Sequence, residues 1–149
     1  LYPVYFIPED KPIGELLREF QKNKVHMALV NDEFGAVRGL VTLEDILEEI
    51  VGEIDDEYDV DDDEFEIIDD HTIIVRARVD IEDVGERLHV EFPKGPYESI
   101  GGLVIHSIGR LPAEGDSVKI GDVELIVSSA GKRRIKKIKI IRSEGRKGD

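Results

Sequence analysis

Cysteine is absent from this 149-residue chain, which rules out disulfides, thiolate-bound zinc and a cysteine nucleophile together. Also lacking is any apolar run near the roughly 20 residues that a bilayer-spanning helix needs. No charged–apolar–small leader opens the chain, which starts at Leu1 without an initiator methionine. It reads as a soluble piece of something longer. Positive charge is scarce outside the tail: residues 1–52 sum to −5, 53–66 to −10, 67–131 to −6 and 132–149 to +7, giving −14 in all. Such a balance argues against general nucleic-acid binding, which needs a basic footprint. Neither G-x-G-x-x-G, nor a Walker loop, nor H-E-x-x-H occurs, so ATP hydrolysis and zinc peptidase chemistry find no support. No nucleophile–base–orienter set stands out, and the chain reads as a non-enzyme.

What is present is enough to fold. With 40% hydrophobic residues the chain can bury a core. Val4–Ile7 is a short apolar run, broken by the segment from Pro8 to Pro12. Ile13, Leu16, Leu17 and Phe20 then recur at helical spacing, with Pro12 suited to the first turn. HMALVN (26–31) reads as a strand, DEFG (32–35) as a turn and AVRGLVT (36–42) as a second strand. Leu43, Ile46, Leu47, Ile50 and Val51 form a second amphipathic helix, with Thr42 as N-cap and Asp45 three residues on. The order is β-α-β-β-α over residues 1–53, with both helices on one face of a small sheet.

Ten acidic residues and no basic one occupy 53–66, and residues 54–66 read as a linker. From 67 to 149 a smaller α+β domain follows. Ile73, Val75, Ala77 and Val79 alternate as a half-buried strand, and Asp80 can cap a short helix bearing Ile81, Val84 and Leu88. Ile100, Leu103, Val104 and Ile108 have helical spacing that Gly101 and Gly102 weaken. Ser117–Ile120, Gly121–Asp122 and Val123–Val127 form a hairpin pattern, and 132–142 is a basic last strand. Ile135 is out of phase with Ile138 and Ile140, and a bulge would reconcile them.

The stretch VHMALVNDEFGAVRGLVTLEDILEEIVGEI (25–54) resembles the cystathionine-β-synthase (CBS) domain: strand Ala28–Val30, turn Asp32 to Gly35, the G-x-x-T of Gly39 to Thr42, and Asp45. In its longer form it is similar to the second CBS repeat of the CorC/HlyC group of magnesium and cobalt efflux and hemolysin-like proteins. IGGLVIHSIGRLPAEGDSV (100–118) and VELIVSSAGKRRIKKIKI (123–140) resemble the transporter-associated domain that closes those chains. The resemblance implies an α+β architecture and the cytoplasmic portion of a protein anchored in the inner membrane. It implies as partners the chain's own membrane domain, a first CBS repeat and a second copy in a homodimer. It also implies regulation by an adenosine nucleotide, AMP or Mg-ATP, at a site this chain half builds. Thr42 and Asp45 would meet ribose and phosphate, while Val25, Met27, Ala28 and Tyr5 would line the adenine.

Blander readings stand beside these. Thr42 and Asp45 also make a capping box; Val25 and Met27 also suit a plain strand core; His26 reads as structural. Asp59, Asp61 and Asp63 share the 1-3-5 spacing of a calcium loop, but position 6 is Glu64 and position 12 is Asp70, so no metal ligand is assigned. The tail has no interleaved aromatic residues for base stacking and reads as a basic strand face compensating an acidic body. The other function to weigh is a ligand-free interaction or dimerisation module.

Overall fold

The computed structural model describes residues 5–51, 65–131 and 134–143. Strand β1 (Phe6–Pro8), helix α1 (Ile13–Asn23), strands β2 (Met27–Asn31) and β3 (Val37–Thr42) and helix α2 (Leu43–Ile50) form the first unit. The sheet order is β1-β2-β3, with β1 parallel and β3 antiparallel to β2. Pro8 ends the edge strand rather than preceding a break: it pairs with Asn31 in register, where no inward N–H is required of it. The hairpin turn closes as the sequence predicts. The Asp32 carboxylate accepts the N–H groups of Phe34 and Ala36, and Gly35 takes the left-handed φ of 85°.

Both helices cover one sheet face. Leu16, Leu17 and Phe20 of α1 and Leu43, Ile46, Leu47 and Ile50 of α2 are buried with Ile7 and Ala28. At about 1.5–3 kcal/mol for each large side chain taken out of water, this face holds the unit together. The opposite face is open. Phe6, Met27, Val37 and Leu40 are each more than half exposed, and Leu29 pairs between Phe6 and Leu40.

The second unit is a five-stranded sheet, β4 (Phe65–Asp69), β5 (Thr72–Arg76), β6 (Ser117–Ile120), β7 (Val123–Ala130) and β8 (Ile135–Arg142), in the order β4-β5-β8-β7-β6. Helices α3 (Ile81–Leu88) and α4 (Ile100–Ile108) complete it. Strand β4 starts at Phe65 and so takes in the last two residues of the stretch read as linker. Three expectations hold. Asp80 caps α3 by accepting from the Glu82 N–H, the β6–β7 hairpin turns at Gly121, and the β7–β8 register shifts near Ala130 and Ile135.

One expectation is corrected. The strand carrying Ile73 and Val75 stops at Arg76, although Ala77 and Val79 remain fully covered. Val79 N–H turns back to the Arg76 carbonyl, and the Ala77 carbonyl is taken by Gly101 N–H instead of a neighbouring strand. Burial at alternate positions therefore continued beyond the ladder that produced it. The two units share one contiguous buried cluster, in which α2 meets α4.

Candidate functional site

The junction of β3 and α2 is the focus. Thr42 is extended, at φ −113° and ψ 160°, and α2 begins at the next residue. The Thr42 hydroxyl accepts from Asp45 N–H at 3.1 Å, and an Asp45 carboxylate oxygen accepts from Thr42 N–H at 3.2 Å. The predicted capping box is thus formed. Leu43 N–H, the first of the helix, is taken by the His26 carbonyl at 2.8 Å, which gives His26 a structural part through its backbone. Asp45 is exposed, and its carboxylate keeps lone pairs beyond the one that Thr42 uses.

The other candidates divide between the two faces. Met27 pairs with Thr42 across the β2–β3 ladder, and both side chains belong to the open face. Ala28 points the other way into the core, and Val25 packs partly buried against it. Tyr5 also belongs to the helix side. Its ring meets Phe20 edge-on at 6.3 Å, and its hydroxyl donates to Glu19 at 2.9 Å. That bond to the Glu19 carboxylate raises the Tyr5 pKa, while Lys11 beside it holds Glu19 low. The structure brings Met27, Thr42 and Asp45 together and places Tyr5 and Ala28 behind the sheet.

The calcium-type spacing falls on Asp59, Asp61 and Asp63, outside the described residues; Asp70 lies in the β4–β5 turn. Among the described residues no three His, Asp or Glu side chains converge as a metal site. A cavity of about 900 Å³ lies elsewhere, between α3 and the 89–98 segment, with Asp80, Glu86, Glu98 and Tyr97 in its wall. Neither it nor the smaller cavity beside Pro12 and Arg134 touches Thr42.

Residues that the sequence did not single out meet where α2 crosses to the second unit. Ser99 donates to Glu48 at 3.4 Å and caps α4 by accepting from Gly102 N–H at 3.0 Å. Burial first, then the neighbouring Glu98 carboxylate, raises the Glu48 pKa. Because the folded value lies above the unfolded one, the penalty is absent in acid. It grows as pH rises past the ordinary carboxylate range. Glu48→Gln is therefore expected to melt slightly higher than the parent at pH 7, with the gap closing below about pH 4, where an ordinary carboxylate takes up its proton. Thermal unfolding across pH tests this; a gap independent of pH would refute the assignment.

A β-α-β-β-α unit with a capped strand-to-helix junction, packed on a two-helix, five-stranded unit, has the make-up of a CBS unit with a companion domain. Comparison with known proteins bears this out: the CBS domain model matches residues 2–52 and the transporter associated domain model, CorC_HlyC, matches 66–144. The chain belongs to the CorC_HlyC transporter-associated family. It is 48% identical over 130 residues to the magnesium and cobalt efflux protein CorC of Escherichia coli K12, covering 87% of this chain and 44% of that protein. CorC of Pasteurella multocida is 42% identical over 145 residues, covering 94% and 47%. The chain spans less than half the length of these relatives. A crystal structure of a putative Mg2+ and Co2+ transporter (CorC) associated region from Neisseria meningitidis is 30% identical. It covers 54% of this chain and 99% of that one, with a TM-score of 0.51. Among the described residues no helix is long and apolar enough to cross a membrane.

Proposed function

We propose that the chain is the cytosolic regulatory portion of a magnesium and cobalt efflux-type membrane protein, binding an adenosine nucleotide, AMP or Mg-ATP, at the β3–α2 junction. The observation that carries this is the exposed Asp45 carboxylate beside Thr42 at a helix N-terminus, at the end of an open sheet face. A carboxylate suits a ribose diol, and a helix N-terminus suits phosphate. Met27, across the ladder from Thr42, offers an apolar surface for a base. In the apo chain the same two residues cap the helix, so the structural and ligand roles alternate on one pair. The reading assigns no catalytic step to the chain.

The open face of Phe6, Met27, Val37 and Leu40 supports the incomplete-site part of this reading. Contiguous exposed apolar surface marks an interaction site, and the first CBS repeat of the longer chain is the partner we place there, with homodimerisation of the paired repeats beyond it. The same face favours the second reading, an assembly module without ligand. Calorimetry with AMP, and separately with ATP and magnesium, distinguishes them. Asp45→Ala is expected to weaken binding about ten- to a hundredfold, as loss of a charged hydrogen bond does. Equal binding by the variant would put the nucleotide away from Asp45, whereas absence of heat for both nucleotides would favour the assembly reading. Sedimentation would then show a concentration-dependent dimer indifferent to nucleotide.

A further inference from the structure

Helix α4 is gripped at both ends by the helices of the CBS unit. At its start, Glu48 of α2 accepts from Ser99, the residue that caps α4. Val51, which ends α2, lies over Gly101: a Cβ there would stand 3.1 Å from Val51 Cγ2 and 2.8 Å from both the Cβ and the carbonyl oxygen of Ala77. Val51 also bridges in parallel to Ile135 at the start of β8. At the far end, Gln21 of α1 donates to the His106 carbonyl at 3.3 Å. Just beyond it, Leu111 packs so closely on Gly14 that a Cβ would meet it at 2.9 Å.

We propose that α2 works as a shared rod: a nucleotide held at its N-terminus is reported to α4 through the Glu48–Ser99 contact and the Val51–Gly101 packing. The proposal rests on the nucleotide reading above. The physical ground is the lack of slack. An eight-residue helix is only about 12 Å long and moves as one piece. Where a missing Cβ is all that separates it from α4, it cannot shift without α4 repacking. Ligand that orders α2 must therefore order α4, and the coupling is reciprocal. Glu48 is a positioning residue here, because it acts through Ser99 and touches no ligand.

Amide hydrogen exchange on the whole chain, run beside calorimetry with AMP or ATP plus magnesium, tests the idea. Bound nucleotide is expected to slow exchange in Ile100–Ile108 about fivefold or more, the lower end of ordinary site-to-site coupling, while edge strand β6 keeps its rates. Glu48→Ala is expected to bind nucleotide as before and to weaken the slowing at α4, leaving the share that the Val51–Gly101 packing carries. Binding without any change at α4, or a change that survives Glu48→Ala undiminished, overturns the proposal. If no nucleotide binds, the nucleotide reading falls, and a ligand-free arm decides the rod alone. Thr42→Ala removes a cap worth about 1 kcal/mol, a factor of about five, and must speed exchange at α4 more than at β6. An unchanged α4, or a uniform rise across the second unit, overturns the rod as well.

Discussion

Gly101→Val is expected to cost about 3 kcal/mol, the upper end of ordinary overpacking, and to lower the melting temperature by about 6–12 °C for a chain this long. Intrinsic propensity points the other way, because glycine in a helix interior is about 1 kcal/mol worse than alanine. Contact distance decides the sign. Two of the three atoms around the missing Cβ belong to Ala77, one of them its carbonyl oxygen, and backbone engaged in a hydrogen bond to Gly101 cannot retreat cheaply. The third, Val51 Cγ2, is pinned by the bridge to Ile135. Gly39→Ala is the matched control. Nothing lies within 4 Å of its added Cβ, and its stability is expected to stay within about 0.5 kcal/mol of the parent. Thermal unfolding of the pair is the measurement, and equal melting would mean the seam yields.

Phe20→Ala should be costlier still, about 3–5 kcal/mol, since it removes a completely buried ring and leaves a cavity in a close-packed site. The edge-on partner Tyr5 would lose its contact, and the Val25 N–H bond to the Phe20 carbonyl, which ends α1, would lose the packing that fixes it. Because the buried cluster runs without a break from Phe20 through Leu47 to Leu103, the loss should lower the denaturation midpoint of the second unit too. Urea unfolding followed by circular dichroism gives the magnitude. Exchange at α4 shows the reach: if its global protection stays unchanged, the units unfold separately and the shared core is refuted.

The elements legible from residue patterns were those whose local chemistry agrees with their tertiary role. The 3.6-residue stripe of Leu16, Leu17 and Phe20, the cap at Thr42 and the turn at Asp32–Gly35 need no distant partner to be recognised. Helix α4 was less legible because Gly101 and Gly102 are poor helix formers in isolation. Their use is long-range, as the space they leave is filled by Val51, Ala77 and Tyr97. Ala77 and Val79 read as strand because covered positions alternate whether or not a ladder persists. At the candidate site the T-x-x-D pair was visible from spacing, whereas the face on which Tyr5 lies depended on its bond to Glu19. Glu48 and Ser99 are 51 residues apart, and no local pattern marks them as neighbours.

The order of strands in the second sheet has a consequence for how the chain is made. Its central strand, β8, is the last to leave the ribosome, yet β5 and β7 both pair with it. Until residue 142 emerges, β4–β5 and β6–β7 can exist only as two hairpins with open inner edges. Strand edges left open in this way invite pairing with other chains. Val51 likewise waits for Ile135, so the CBS unit cannot complete its own last contact while synthesis continues. Closure by this strand thus sets the moment at which the inner edges of both hairpins are covered, and loop closure over such separations makes it a slow step.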